Sequence, residues 1–218
     1  MTEFTLWDII RNLLIATKWT LVLSLVAFVG GAGIGFCLLL IRVGKYRAGR
    51  MLVAMYVSMF QGTPLLMQMF LAYFGLGLLG FDVPAWLAAG GALVLWSSAF
   101  LTEIWRGCVK AIARGQWEAS CSLGMTFLQQ MRYVIVPQAV RLALPPTTGF
   151  VVQVVKATAL TSIVGFIELS RAAVSIANAT YQPATVYGFV ALIYFVINWP
   201  MSKASQHLEG RLHVTRKH

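Results

Sequence analysis

Few residues in this 218-residue chain could do chemistry, and they stand at the edges of apolar runs or inside them. Glu103 closes one run. Lys156 interrupts another, with Thr158, Thr161 and Ser162 just after it. A charge near the centre of a bilayer costs about 2.5–3.5 kcal/mol on insertion scales, so each should face a polar cavity or a partner. Two readings stay open for both. Lys156 can line a polar path and meet a carboxylate, or it can pair with Glu103 or reach outward. Glu103, three residues before Arg106, can hold a structural ion pair or meet a solute. The third feature is Gln61-Gly62-Thr63-Pro64. Pro64 removes a backbone donor and frees the carbonyl of Phe60. Free backbone inside a membrane is tolerated where protein buries it or where it lines a wet cavity. Gln61, Thr63 and Pro64 therefore mark either a packing kink or the wall of a path.

Other chemistry is excluded by residues that the chain lacks. All three histidines, His207, His213 and His218, fall in the last twelve residues, so none is available inside the apolar runs for haem, zinc or a proton relay. Cys37, Cys108 and Cys121 form no even set and no Cys-x-x-Cys pair, and Cys37 reads as a small hydrophobe. A membrane enzyme such as an acyltransferase needs a base beside a nucleophile. Glu103, the sole acid expected inside the spans, cannot supply that pair. There is no GxxxxGK[ST] phosphate loop, so the chain has no visible means of binding ATP itself.

The elements that must position these residues follow from composition. Hydrophobic residues are 59% of the chain and charged residues 11%, where a soluble domain carries about 25% charged. The expected class is an all-α membrane protein. Trp19–Ile41 offers 23 uncharged residues, roughly 34 Å as a helix, against a hydrocarbon core of about 30 Å. A second span is expected from about Leu52 to Leu76, with a turn at Gly75, Gly77 and Gly80. A third covers Val83–Thr102, a fourth Leu142–Ile167, and a fifth begins near Thr185. Of the 17 lysines and arginines, 13 fall in the loops after spans one and three and in the tail at 203–218. The positive-inside rule makes that side cytoplasmic, which puts the N-terminus outside and the C-terminus inside. The net charge of +10 is thus assigned to the membrane rather than to nucleic acid. Residues 1–18 carry Leu6, Ile9, Ile10, Leu13 and Leu14 at helical spacing. They read as a short amphipathic helix on the outer face, or as an extension of span one. The whole chain, 1–218, reads as one transmembrane domain.

The loop at 112–137 is too long for a simple connector. Gln116–Leu123 has good helix formers, Gly124 can take the left-handed turn, and Thr126 can cap a second helix. Leu123, Phe127, Met131 and Val134 then form one apolar stripe. Pro137 and Pro145 are expected to break the helix beyond it. Such a hairpin can pad the span ends or dock into a groove of a cytoplasmic partner.

Glu118, Ala119, Gly124 and Pro137 resemble the EAA loop of ABC-importer permeases, with Ser120 standing where that family prefers alanine. The likeness extends to GTPLLMQMFLAYFGL at 62–76, FLTEIWRGCVKAIARGQWEAS at 100–120, VPQAVRLALPP at 136–146 and KATALTSIVGFIEL at 156–169. Together they are similar to polar amino-acid permeases of the histidine/glutamine/glutamate type. Two positions depart: Gln61 replaces the family's usual arginine, and Ala157 a polar residue. The resemblance implies a type I ABC-importer permease fold in a bacterial inner membrane, with the 112–137 loop as a coupling helix. It implies docking of that loop on an ATP-hydrolysing subunit in two copies, with ATP and Mg on that partner and no cofactor on this chain. Glu118 would hold the loop through Arg114, Arg132 or the partner. It also implies a second permease subunit, identical or paralogous, and an external amino-acid-binding protein. A channel or secondary transporter would instead show inverted repeats, and none is visible.

Overall fold

The computed structural model describes residues 5–215, and side chains as far as residue 210. Among the described residues every regular element is helical. α1 spans Leu6–Val43, α2 Arg47–Gly62, α3 Leu65–Phe70 and α4 Leu76–Leu78, with a π-helical turn at Leu71–Gly75. α5 spans Ala85–Lys110, α6 Arg114–Ser122 and α7 Phe127–Gln129, with a second π-helical stretch at Gln130–Ile135. α8 runs Val136–Ala157 into a 3-10 turn at Thr158–Ser162, followed by α9 at Leu169–Thr180 and α10 at Pro183–Thr215. Among the described residues, three helices are long and apolar enough to cross a membrane: α1, α5 and the Pro183–Gly210 part of α10. Leu65–Leu78 is a shorter apolar stretch.

α1 and α5 form the central pair, and small residues explain why. A methyl group placed on Gly31 would fall 2.5 Å from Ser97 Cβ, and one on Gly35 would lie 3.0 Å from the Ser98 carbonyl oxygen. The backbones are therefore close enough for Thr102 Oγ1, which donates to the Ser98 carbonyl of its own helix at 2.6 Å, to lie 3.2 Å from the Gly35 carbonyl oxygen as well. Close approach through glycine and serine is the usual basis of helix association in lipid. Around this pair Leu23, Ala27, Met69, Leu93, Phe150 and Val154 form the main apolar core. Leu25, Val29, Phe36 and Leu40 of α1 remain exposed, as does Cys37.

Three sequence expectations are corrected. The amphipathic segment at 1–18 is not a separate helix: from Leu6 it is continuous with span one, opened by a capping box between Thr5 and Asp8. Its stripe is covered by protein, since Ile9 and Leu13 are fully buried against Leu169, Ala173, Ile176 and Val186 of α9 and α10. Residues 1–4 lie outside the described residues, as do 216–218 of the expected tail, whose remainder continues α10. Span two is not one helix, because the chain breaks between α2 and α3. Pro137 and Pro145 do not break the chain. Pro137 lies just beyond the π-helical stretch at Gln130–Ile135, which runs without a gap into α8. Pro145 and Pro146 lie within α8. They leave the Arg141 and Leu142 carbonyls without their i+4 donors, and the helix continues to Ala157 all the same. Separately, Ser205 of α10 donates to the Pro145 carbonyl at 2.9 Å and joins the two helices.

Candidate functional site

The break at Gly62–Pro64 has a specific geometry. The residue before a proline is disfavoured in the helical region, and Thr63 is extended, at φ −117 and ψ 144. Pro64 is extended too and leads into α3. Gln61, Gly62, Thr63 and Pro64 are all exposed, while Phe60 and Met69 on either side are buried. The Phe60 carbonyl, left without a backbone donor by Pro64, accepts instead from Gln68 Nε2 at 2.9 Å. Sequence reasoning found the orphan carbonyl but missed Gln68. An amide donor eight residues on, within reach across a proline break, was the signal.

The other path candidates are not gathered into one polar patch. Lys156 is exposed in the last turn of α8 and makes no ion pair among the described residues. Thr158 and Thr161 are fully buried, and their hydroxyls bond back to Val155 and Thr158 carbonyls at 2.7 Å. Ser162 does the same with Ala159 at 2.6 Å. Glu103 is held by Arg106, whose Nε donates to both carboxylate oxygens at 2.9 and 2.8 Å. Arg42 Nε lies 3.7 Å from the same group. Glu103 therefore ties the end of α1 to α5 and does not meet Lys156.

Nor is Glu103 the sole acid in the interior. Glu168 is fully buried. It caps α9 by accepting from the Arg171 N–H at 3.0 Å, and it accepts from Thr20 Oγ1 at 3.2 Å and Tyr194 Oη at 3.4 Å. The Leu169 N–H in turn donates to Thr20 Oγ1 at 3.1 Å. This acid joins α1, α9 and α10. An acid just ahead of Leu169, Ala173, Ile176 and Ala177 at helical spacing was the sequence signal for such a cap.

The candidates in the 112–137 loop form a defined hairpin. Gly124 has φ +72, the left-handed turn that ends α6. Thr126 and Gln129 make a reciprocal capping box, with Gln129 Oε1 accepting from the Thr126 N–H at 2.8 Å. The base of the hairpin packs on Val109, Ile112, Ile135 and Ala139 through Trp117, Met131 and Val134. Gln138 Nε2 donates to Gln116 Oε1 at 3.1 Å, tying α8 to α6. Ser120 is buried, and its hydroxyl donates to the Trp117 carbonyl at 2.9 Å. Glu118 and Ala119 are exposed, and Glu118 makes no ion pair with Arg114 or Arg132 among the described residues. The expected stripe divides: Met131 and Val134 pack inward, while Leu123 and Phe127, joined by Leu128, stay exposed at the tip. Pro137, the last candidate, sits at the start of α8.

The family described as the binding-protein-dependent transport system inner membrane component matches residues 27–214. The chain belongs to this family. The permease is 35% identical over 179 residues to the probable amino-acid ABC transporter permease protein YckA of Bacillus subtilis (strain 168), covering 82% of this chain and 79% of that one. It is 32% identical over 193 residues to the probable glutamine ABC transporter permease protein GlnM of the same organism, covering 88% and 89%. In structure it is similar to a crystal structure of an amino acid ABC transporter with histidines, with a TM-score of 0.88 and 35% identity, over 92% of this chain and 94% of that one. The permease is a transport component rather than an enzyme.

Proposed function

We propose that this permease is the translocation subunit of an ATP-driven importer for a polar amino acid in a bacterial inner membrane. One transmembrane domain crosses the bilayer five times, with its N-terminus outside and its C-terminus inside. The tail at 203–218 is cytoplasmic. Two permease subunits, identical or paralogous, face each other around the path. Two ATPase subunits, which hold ATP and Mg, sit beneath, and an external binding protein delivers the amino acid. The observation that carries this reading is the capped hairpin at 114–129, in a chain of this family. Its tip presents Leu123, Phe127 and Leu128 beside Glu118 and Ala119, all exposed. An apolar tip on a rigid base suits a groove in a cytoplasmic partner. Ser120 and Gly124 set the hairpin's shape, and Pro137 starts the helix that carries its motion inward.

The path itself runs past Gln61, Thr63 and Pro64 at the broken helix. Exposed Lys156 offers a cation to the carboxylate that all amino acids share, and Thr158 steadies its turn from the buried side. Glu103, with Arg42 and Arg106, keeps the inner ends of α1 and α5 together. Closure of the ATPases on ATP drags both hairpins, and the two-state rocking of the helices opens the path outward. The test is uptake of labelled amino acid by vesicles holding the full complex, with each of the twenty amino acids as competitor. Uptake should require ATP and be competed by a polar subset. Uphill accumulation by vesicles that lack the ATPase would reject the reading.

A further inference from the structure

We propose that Gln68 is the positioning residue that holds the helix break open, fixing the corner at Gln61–Pro64 in the shape transport requires. The inference rests on the reading of that corner as path wall. A proline by itself would only kink a helix. Here Thr63 and Pro64 are both extended, so α2 and α3 are separate helices and the last carbonyls of α2 have lost their intrahelical donors. In a membrane-spanning element such groups must be satisfied from within the protein.

One side chain does most of this. Gln68 Nε2 lies 2.9 Å from the Phe60 carbonyl oxygen, 3.1 Å from the Thr63 carbonyl oxygen and 2.9 Å from Thr63 Oγ1. An amide has two hydrogens, so one goes to Phe60 and Thr63 takes the other. Thr63 Oγ1 passes its own hydrogen to the Met59 carbonyl at 2.8 Å. The Gln68 N–H is anchored on the Pro64 carbonyl at 3.2 Å. Every hydrogen-bond partner of the side chain among the described residues is an oxygen, so the donor end of the amide is the end that fits. Gln68 Oε1 at the other end is buried with no partner among the described residues. Turning the amide over would set oxygen against oxygen. A carboxylate at position 68 would do the same, and a methionine would fill the space but leave the carbonyls bare. The clasp works from behind: Gln68 is half-buried, and the corner it holds is exposed.

The experiment uses the full complex in vesicles and compares wild type, Gln68→Met, Gln68→Glu and the double variant Pro64→Ala with Gln68→Met. The readouts are amino acid moved per ATP hydrolysed and the melting temperature of the complex. Losing two hydrogen bonds to carbonyls should lower transport per ATP about tenfold in both single variants. In the double variant, the alanine that replaces Pro64 can return an N–H to the Phe60 carbonyl and let the helix run on. Its melting temperature should recover towards wild type, and its transport should not. Recovery of transport together with stability would overturn the proposal, as would single variants that transport within about twofold of wild type. If the single variants fail to assemble, the double variant decides by the same criterion. A wild-type complex that moves no amino acid would instead sink the function reading and is read separately.

Discussion

Gly31 and Gly33 lie two positions apart on α1 and meet opposite surroundings. A methyl group on Gly31 would collide with Ser97, whereas nothing lies within 4 Å of one on Gly33. Gly31→Ala should therefore push α1 off α5 and destabilise the protein by about 1–3 kcal/mol, the usual scale for overpacking. Gly33→Ala should be neutral, or stabilising by up to about 1 kcal/mol, because alanine is the better helix former. Thermal unfolding of the two variants in the same detergent checks this, and equal melting temperatures would refute it. Of the ionisable residues, Glu103 is legible in the sequence as a candidate for an ion pair, but only one of its partners is. The Arg106 pairing is local on one helix, whereas Arg42 reaches it only because α1 and α5 pack together. For Glu168 the sequence signals at most a helix cap; its burial against Thr20 and Tyr194 of two distant helices leaves no mark in its neighbourhood.

The α6–α7 hairpin is the element whose form was most legible. Its turn depends on one glycine with a positive φ and its second helix on a capping box three residues wide, both local signals. Gly124→Asp should insert in the membrane normally yet lose uptake. The left-handed conformation costs a side-chain-bearing residue roughly 1–2 kcal/mol, and the new charge would sit at a tip that exposes Leu123 and Phe127. Uptake and membrane abundance measured side by side decide it; undiminished ATP-driven uptake would count against a docking role. The break between α2 and α3 was legible only in part. Thr63-Pro64 announces that a helix is disturbed, but whether it bends or separates depends on a donor such as Gln68 arriving to satisfy the freed carbonyls.

At the scale of the whole molecule, orientation is the assignment that governs every other one. With Cys37, Cys108 and Cys121 replaced by serine, a lone cysteine at Asp82→Cys should react with a membrane-impermeant maleimide on intact cells. One at Lys45→Cys should react only after the membrane is opened. Both positions are exposed, so reactivity reports sidedness. The reverse pattern would turn the permease over and move the hairpin to the wrong side for an ATPase.

Composition pointed to a membrane protein, because a soluble fold of this size has no interior for so much apolar surface, and long uncharged runs made helices the expected way to span. Short-range signals determined the hairpin, since glycine turns and caps act within a few residues. Tertiary structure alone decided the rest. It merged the N-terminal segment into α1 by supplying α9 and α10 as cover for Ile9 and Leu13. It packed α10 against the proline-bearing stretch of α8, with a hydroxyl from Ser205 bonding the Pro145 carbonyl. It buried Thr158 and Thr161 beyond Lys156, away from any exposed polar patch. In each case the deciding group lies elsewhere in the chain or depends on how the helices pack, and spacing along the sequence carries no information about that distance.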